Sequence, residues 1–239
     1  MKKTRIALAL ILLFLVSGSI IFLTGIFNIS SIEVTGLQTL TREEIIRNAG
    51  ITYGKNIFLF SEKASMRGVF KNPYVKLIKI DRKLPNRVSI NIVERIPGFK
   101  LPYVGSYVIL DEEGVVVEVL PIGGRAVLLP IVDGLIFNDF KVGEKLNITN
   151  KSAFDTLMKI VVEIRPSGLL LGMEKIDITD INNVSLSFDD GNTILLGEPV
   201  DVAYKLAFAK SILQDIKSKN RKGVIDLSNK GDPVFRPKK

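Results

Sequence analysis

The sequence predicts an α+β protein that begins with a single N-terminal transmembrane helix. Three observations lead to this fold class. An uncharged apolar run lies near the N terminus, a strand–helix–helix–strand–strand order follows it, and the residues after Pro97-Gly98 are rich in short strands. The predicted boundaries are a cytoplasmic tail at residues 1–5, a transmembrane helix at 6–27, a β-α-α-β-β module at 28–97 and a β-rich α+β distal domain with a C-terminal edge strand at 98–239.

The apolar run at residues 6–27 contains 22 residues and no charge. As a helix it would measure about 33 Å, enough to cross a hydrocarbon core of about 30 Å. A cleaved signal peptide is the alternative, but it has a shorter apolar core and a small-residue cleavage site, which Ser17-Gly18-Ser19 matches poorly. Lys2, Lys3 and Arg5 favour a cytoplasmic N terminus, so the remaining domains are expected outside, and the short tail leaves little room for cytosolic signalling.

Local signals predict each element of the first module. A strand is expected at residues 31–34, with Gly36 as its turn. Thr41 and Glu44 form a capping box for the first helix, and Gly50 ends it.

A second helix is expected to begin after Ser61 and to end before Pro73. Two strands follow, at residues 74–80 and 87–94, joined by the turn "DRKLPN". In the second strand apolar and polar residues alternate, which indicates a sheet with one buried face. The apolar positions are Val88, Ile90 and Ile92.

The distal domain is predicted from turn signals and two amphipathic helices. A hairpin is expected at residues 107–119 and a strand near 129–135. A helix at 151–165 is expected to stop at Pro166. The remaining elements are three short strands between residues 173 and 197 with a tight turn at Asp189-Asp190-Gly191, an amphipathic helix within 198–220, a strand at 224–227 and a further strand at 233–235.

Composition excludes several classes of functional site. The 239 residues include no Cys and no His, so cysteine nucleophiles, Cys/His zinc sites, disulfides and Ser-His-Asp triads are excluded. The net charge is +8; without Lys2, Lys3 and Arg5 it is +5, from 30 basic and 25 acidic residues. Basic and acidic residues are interspersed, and we therefore expect no nucleic-acid partner. A mildly basic body would suit a position beside an anionic membrane or wall polymer, or would simply maintain solubility.

The acidic clusters allow an enzymatic alternative. Asp111-Glu112-Glu113 and Asp189-Asp190 would in principle supply paired carboxylates or bind a hard cation. Both clusters precede a Gly at an expected hairpin tip, where Asp and Gly serve turn geometry. Gly123-Gly124 is interpreted as a loop, and Lys205 and Lys210 as lysines on a solvated helix face. We therefore predict no catalytic residue, no metal, no cofactor and no small-molecule substrate.

The order of these elements resembles a known family. The first module, with "IEVTGLQTLTREEI" leading and "LPNRVSINIVERIPGF" closing, resembles the POTRA module. With the anchor before it and "ILDEEGVV", "LPIVDGL", "DDGNTILLG" and "IDLSNKGDPVFR" after it, the chain resembles the FtsQ/DivIB family of bacterial cell-division proteins. The resemblance implies a non-enzymatic, single-pass scaffold of the divisome that is concentrated at the division septum.

The resemblance also implies partners. In that family the end of the second ectodomain binds a coiled-coil partner called FtsB or DivIC, which pairs with FtsL, and the septal wall synthase is affected indirectly. A terminal strand at a sheet edge would accept an extended segment of such a partner, although it could also merely complete the sheet. Carried over by position, the candidate partner-binding residues are Val224, Ile225, Asp226, Leu227, Ser228, Asn229, Val234 and Phe235.

Two other functions remain alternatives at this point. A POTRA-like module could act as a chaperone or docking module in protein export, although such proteins usually carry tandem modules. A membrane-anchored enzyme acting on the cell wall would need a catalytic set that the sequence does not offer. The expected test of the scaffold hypothesis is partner binding by residues 28–239, compared with residues 28–222.

Overall fold

The computed structural model describes residues 6–7, 10–14, 24–125, 127–229 and 233–238. The chain divides into two compact units, Met1–Arg95 and Ile96–Lys239. The predicted cytoplasmic tail at residues 1–5 and half of the predicted transmembrane helix, residues 8–9 and 15–23, lie outside the described residues. Within the described part of the chain, no helix combines the length and apolar character needed to cross a bilayer.

The first unit has the predicted β-α-α-β-β order. Its three-stranded sheet has the order β1-β3-β2, with β1 parallel to β3 and β2 antiparallel to β3. The elements are β1 (Ser31–Thr35), α1 (Arg42–Ala49), α2 (Glu62–Val69), β2 (Val75–Lys83) and β3 (Arg87–Glu94). The predicted alternation in β3 is confirmed, because Val88, Ile90 and Ile92 are buried in the core beneath the two helices.

The predicted limits of α1 are also confirmed. The Thr41 hydroxyl accepts a hydrogen bond from the Glu44 N–H at 3.3 Å, which satisfies one of the unpaired donors of the first turn. Gly50 ends the helix with φ of 64°, in the left-handed region that favours glycine. Both signals are local in sequence, which is why the residues alone predict them.

The loop before α1 is held by a buried carboxylate that the sequence did not single out. Glu94, at the end of β3, is 5% exposed. Its carboxylate accepts hydrogen bonds from three consecutive N–H groups. The donors are Gln38 at 2.7 Å, Thr39 at 2.9 Å and Leu40 at 3.1 Å. These bonds fix the chain between β1 and α1 against the end of the sheet.

Over its described residues, the second unit contains a nine-stranded sheet and two helices. The strand order is β12-β11-β10-β9-β8-β7-β4-β5-β6, so β12 and β6 are its edges. The strands are β4 (Pro97–Tyr103), β5 (Ser106–Asp111), β6 (Val116–Pro121), β7 (Ile131–Asp133), β8 (Met173–Asp177), β9 (Val184–Phe188), β10 (Thr193–Gly197), β11 (Gly223–Asp226) and β12 (Val234–Pro237). The helices α3 (Lys151–Ser167) and α4 (Val202–Ser218) contribute to the same apolar core as the strands.

Two features of this unit differ from the sequence prediction. Helix α3 continues through Pro166 to Ser167 and ends at Gly168, whose φ is 75°. The Gly168 N–H donates to the Arg165 carbonyl, so the helix closes on a glycine cap instead of stopping at the proline. In addition, Pro97–Tyr103 forms the strand β4, which the sequence analysis did not predict.

The connection from β10 through α4 to β11 determines where the chain ends. Strands β10 and β11 are parallel, and such a pair needs a crossover, which α4 provides. Strand β11 pairs antiparallel with β12 on its other side. The last strand of the chain therefore lies at the sheet edge, as predicted, and β11 lies inside the sheet.

Candidate functional site at the C-terminal sheet edge

Strand β12 presents one side of its backbone away from the sheet. The Lys238 N–H donates to the Lys222 carbonyl at 2.9 Å, and in an antiparallel pair such bonded positions alternate. With the observed register, Val234 and Arg236 then direct their backbone groups towards β11. Phe235 and Pro237 direct theirs outward.

The hydrogen bonds on the β10 side of β11 show the same alternation, because the Leu227 N–H donates to the Leu195 carbonyl of β10 at 2.8 Å. Since proline has no N–H, Phe235 carries the one outward N–H within β12, while Phe235 and Pro237 both carry outward carbonyls. Proline is tolerated at this position because its nitrogen faces away from the ladder. The edge therefore offers a short and specific pattern of one donor and two acceptors.

The structure separates the sequence-predicted site residues into three groups. Ile225, Asp226 and Leu227 are buried, and Val224 is half-buried within β11. Ser228 and Asn229 are exposed in the segment after β11, and residues 230–232 lie outside the described residues. Val234 and Phe235 lie in the edge strand, where Val234 is exposed and Phe235 half-buried.

Asp226 connects β11, the segment after it and β12. One carboxylate oxygen accepts hydrogen bonds from the Ser228 N–H at 3.0 Å and the Ser228 hydroxyl at 2.6 Å. The other lies 2.6 Å from Nη2 of Arg236. The Ser228 hydrogen bonds and the nearby Arg236 guanidinium hold the pKa of Asp226 below its usual range, although burial opposes this. Arg236 belongs to this arrangement but was not among the predicted site residues.

We expect Asp226→Asn to destabilise the second unit by about 1–2 kcal/mol at neutral pH, because hydrogen bonds to a charged group are lost. Because the pKa of Asp226 is lowered in the folded state, its contribution to stability is fully present above the pKa of the unfolded chain, about 3.9. This contribution is lost as the pH falls through the pKa of the folded state. Urea unfolding of residues 24–239 at pH 7 and pH 3 measures both effects. The variant should lose less stability on acidification than the wild type.

Asp215→Asn is the matched control, since Asp215 is exposed on α4 and pairs with Lys219 on the surface. We expect it to change stability by less than about 1 kcal/mol. An Asp226→Asn variant as sensitive to acid as the wild type would contradict the assignment of this carboxylate.

A groove lies next to the start of the edge strand. It has a volume of about 700 Å³ and is bordered by the first turns of α4 on one side and by Leu227, Ser228, Asn229 and Pro233 on the other. Tyr204 and Phe208 line it, with their ring centroids 4.8 Å apart. Both aromatic rings are exposed, and they lie one helical turn apart on a face of α4 away from its buried stripe. That position, off the apolar stripe, is the sequence signal that would have identified them.

Lys205 differs from its predicted position on a solvated helix face. It is half-buried, and its ammonium group donates to the carbonyls of Leu196 at 2.7 Å and Glu198 at 2.8 Å. Burial lowers the pKa of this ammonium group. Lys205 thus joins the start of α4 to the end of β10, whereas Lys210 is exposed as predicted.

The acidic clusters serve turns, as the sequence indicated. The buried Asp111 carboxylate accepts hydrogen bonds from the N–H groups of Glu113 at 2.9 Å and Val115 at 2.8 Å. Asp190 accepts one from Asn192 at 3.0 Å and lies 2.8 Å from the Lys217 ammonium. Among the described residues, no group of three or more acidic side chains is arranged to hold a metal ion.

Comparison with known families covers both units. Residues 27–95 match the family described as POTRA domain, FtsQ-type. Residues 102–228 match the C-terminal family of the cell division protein FtsQ/DivIB. The second match alone covers more than half of the chain and ends at Ser228, before β12.

Individual relatives agree with these matches. The chain is 29% identical to the cell division protein DivIB of Clostridium botulinum (strain Hall) over 238 residues, covering 98% of this chain and 92% of the relative. It is 27% identical to DivIB of Clostridium acetobutylicum over 210 residues, covering 87% and 82%. It is 33% identical to the cell division protein FtsQ of Myxococcus fulvus over 110 residues, covering 46% and 38%. The chain therefore belongs to the FtsQ/DivIB family of cell division proteins.

Proposed function

We propose that this cell division protein is a non-enzymatic, single-pass membrane scaffold of the divisome. It is anchored by residues 6–27 with its N terminus in the cytoplasm, and it is concentrated at the division septum. Outside the membrane it binds an FtsB/DivIC-like partner, which pairs with an FtsL-like protein. Through this pair it organises septal wall synthesis indirectly, without a cofactor or a small-molecule substrate.

The observation that carries this proposal is the exposed edge of β12. An edge strand with outward backbone groups can pair with an extended segment of another protein, and its side chains then add selectivity. The outward N–H and carbonyl of Phe235 and the carbonyl of Pro237 supply such a pattern. The neighbouring groove lined by Tyr204 and Phe208 offers an apolar contact for the same segment.

The membrane anchor is supported by the sequence. Residues 6–27 form an uncharged apolar run of sufficient length, and Lys2, Lys3 and Arg5 precede it. Among the described positions of this run, residues 6–7 and 10–14 are helical, whereas residues 24–27 form a turn in place of the predicted end of the helix.

The predicted site residues take different roles in this proposal. Val234 and Phe235 contact the partner directly, and Ser228 and Asn229 contact it at the mouth of the groove. Val224, Ile225 and Asp226 hold β12 in register, because β11 has strands on both sides and no free edge. Leu227 forms part of the groove wall.

Direct binding tests the proposal. Residues 24–239 are titrated, by calorimetry, with the extracytoplasmic part of the FtsB/DivIC-like protein of the same genome. We expect saturable binding by this form and none by a form that ends at Asn229 and lacks β12. Full binding by the truncated form would contradict the role of the edge strand, and no binding by either form would contradict the partner.

The end point of the truncation matters. The sequence-based comparison with residues 28–222 would also remove β11, in which Ile225 is fully buried between two strands. Loss of binding by that form would then report unfolding of the sheet. A chain ending at Asn229 keeps β11 and the Leu195–Leu227 hydrogen bond. Thermal unfolding of this form, followed by circular dichroism, should remain cooperative, with a lower midpoint because the Asp226–Arg236 pair and the packing of Phe235 are lost.

The groove gives a separate prediction. The double variant Tyr204→Ala/Phe208→Ala should weaken partner binding by about 10-fold, because exposed aromatic residues commonly anchor interfaces. Leu171→Ala is the control, since Leu171 is an exposed apolar residue elsewhere in the same unit. Titration calorimetry measures both variants, and an equal effect from the two would show that the groove is not part of the interface.

A further inference from the structure

The chain that follows the apolar run is fixed to two loops of the first unit. The Ile57 N–H donates to the Phe27 carbonyl at 2.8 Å, and the Ile29 N–H donates to the Lys55 carbonyl at 2.9 Å. On the other side, the Ser30 N–H donates to the Asn86 carbonyl at 2.9 Å. The loop before α2 and the β2–β3 turn therefore lie beside the point at which the chain leaves the apolar run.

Large apolar side chains are exposed at this end of the unit. Ile26 is 50% exposed, Phe58 47%, Leu59 75% and Leu84 61%. Two of these residues lie in the loop before α2, one in the β2–β3 turn, and one in the segment that leads into the sheet. We refer to these four residues as the apolar rim. A concentration of such residues at one end of a small unit typically marks a contact surface.

The loop that carries Phe58 and Leu59 is held from within. Ile57 is fully buried, and the Asn56 side chain accepts the Phe58 N–H at 3.0 Å. The Phe58 ring also packs edge-on against Phe27, with centroids 5.2 Å apart. Because this turn is anchored by a buried residue and by hydrogen bonds, Phe58 and Leu59 are presented outward by a fixed backbone.

Arg82 reinforces the same loop. Its guanidinium donates to the carbonyls of Ile57 at 2.9 Å and Phe60 at 2.7 Å, and it pairs with Glu62 at 2.6 Å. This pairing compensates the acidic charge at the start of α2. The exposed cations Lys55 and Lys83 remain beside the rim residues. Apolar side chains flanked by lysines suit the boundary between phosphate headgroups and acyl chains.

We propose that the apolar rim binds the outer surface of the lipid bilayer. This proposal rests on the proposed transmembrane span at residues 6–27, which places residues 25–30 at the membrane surface. Ile26, Phe58, Leu59 and Leu84 enter the interface, and Lys55 and Lys83 face lipid phosphates. The first unit is thereby held at the membrane in a fixed orientation, in addition to being tethered to it.

Single tryptophan reporters test this proposal, because the natural chain has no Trp. Leu59→Trp and Leu84→Trp are prepared in the full-length chain and reconstituted into vesicles of phosphatidylcholine and phosphatidylglycerol with brominated acyl chains. Leu77→Trp is the matched control, since Leu77 is 58% exposed on β2 of the same unit. It lies about 20 Å along the strand from the β2–β3 turn.

The emission of Trp at positions 59 and 84 should shift to shorter wavelength and be largely quenched, while that of Trp at position 77 remains unchanged. Flotation after alkaline extraction tests the transmembrane span independently. If the protein floats but positions 59 and 84 show no selective quenching, the rim proposal is overturned and the transmembrane span is still supported. The same result is expected if the rim binds another protein instead of lipid. Failure to float would overturn both proposals.

Discussion

Glu94→Ala is expected to destabilise the first unit by about 2–3 kcal/mol, because it removes a buried carboxylate that accepts three hydrogen bonds from the backbone of a part-buried loop. The wild-type carboxylate accepts the N–H groups of Gln38, Thr39 and Leu40. Alanine would leave these N–H groups without an acceptor inside the protein, in a loop where Gln38 and Thr39 are exposed and Leu40 is half-buried. The loop between β1 and α1 would then lose its attachment to the sheet.

Hydrogen exchange of residues 24–239, measured by mass spectrometry across a guanidinium series, resolves the two units separately. Peptides from residues 31–94 should lose protection in Glu94→Ala, and peptides from residues 96–229 should not. Glu33→Ala is the control, because Glu33 forms an exposed ion pair with Arg87 at 3.0 Å and should cost less than about 1 kcal/mol. Equal effects of the two substitutions would refute the role assigned to Glu94.

The same carboxylate predicts a pH dependence. Burial opposes its ionisation, but the three backbone N–H groups outweigh burial and lower the pKa of Glu94. The contribution of Glu94 to stability is therefore complete above the pKa of the unfolded chain, about 4.3. It is lost as the pH falls through the pKa of the folded state. Glu94→Gln should be less stable than the wild type at neutral pH, and this difference should shrink in acid.

Short-range signals in the sequence were sufficient to predict the helices and strands of the first unit. Capping by Thr41, termination at Gly50 and the alternation of Val88, Ile90 and Ile92 each depend on residues close together in the chain. Such features follow from helix-end hydrogen bonding and from the period of a strand. The order and type of the elements could therefore be predicted from the residues.

Strand β4 could not be predicted because its composition is unfavourable. Pro97, Gly98 and Pro102 all lie within it, and each is poorly suited to a strand. The structure accommodates them with a register shift against β5 between Pro97 and Phe99. Phe99 and Leu101 are nevertheless buried at 0% and 1% exposure, so tertiary packing outweighs the local preference.

The candidate site was predicted in position but not in detail. The sequence placed an edge strand at the chain end, and β12 is that strand. It did not place β11 inside the sheet, since strand order depends on the crossover through α4 and not on any local pattern. The pairing of Asp226 with Arg236 likewise depends on register between two strands.

The groove residues and the contact of Lys205 were missed by the sequence analysis for a shared physical reason. Tyr204 and Phe208 lie off the apolar stripe of α4, which marks them as exposed, but the groove that they line forms only where the segment after β11 packs beside the helix. Lys205 seemed solvated from its helical position, but the end of β10 covers it. Whether an amphipathic residue faces solvent, core or a groove depends on which element lies beside it.

The alternation of hydrogen bonds along β12 allows the edge to be blocked without breaking the sheet. Phe235→Pro removes the outward N–H and places a ring where a partner strand would lie, while the ladder with β11 uses Val234 and Arg236. Pro237 already occupies an outward position in the same strand, which indicates that the backbone accepts proline there. We expect partner binding to weaken by about 100-fold or more, equivalent to about 3 kcal/mol.

Phe235→Ala separates the two contributions of this residue. It removes the aromatic ring, which lies over Gly223 so closely that a Cβ there would come within 2.6 Å of it, but it keeps the backbone N–H. The Phe235→Pro variant should bind the partner about 5- to 30-fold more weakly than the Phe235→Ala variant. This difference corresponds to the loss of one backbone hydrogen bond together with the steric effect of the proline ring. Titration calorimetry measures this ratio, and thermal unfolding confirms that both variants are folded. Equal affinities for the two would mean that the partner contacts the side chain of Phe235 and not the backbone of β12, and the strand-pairing mechanism would have to be abandoned.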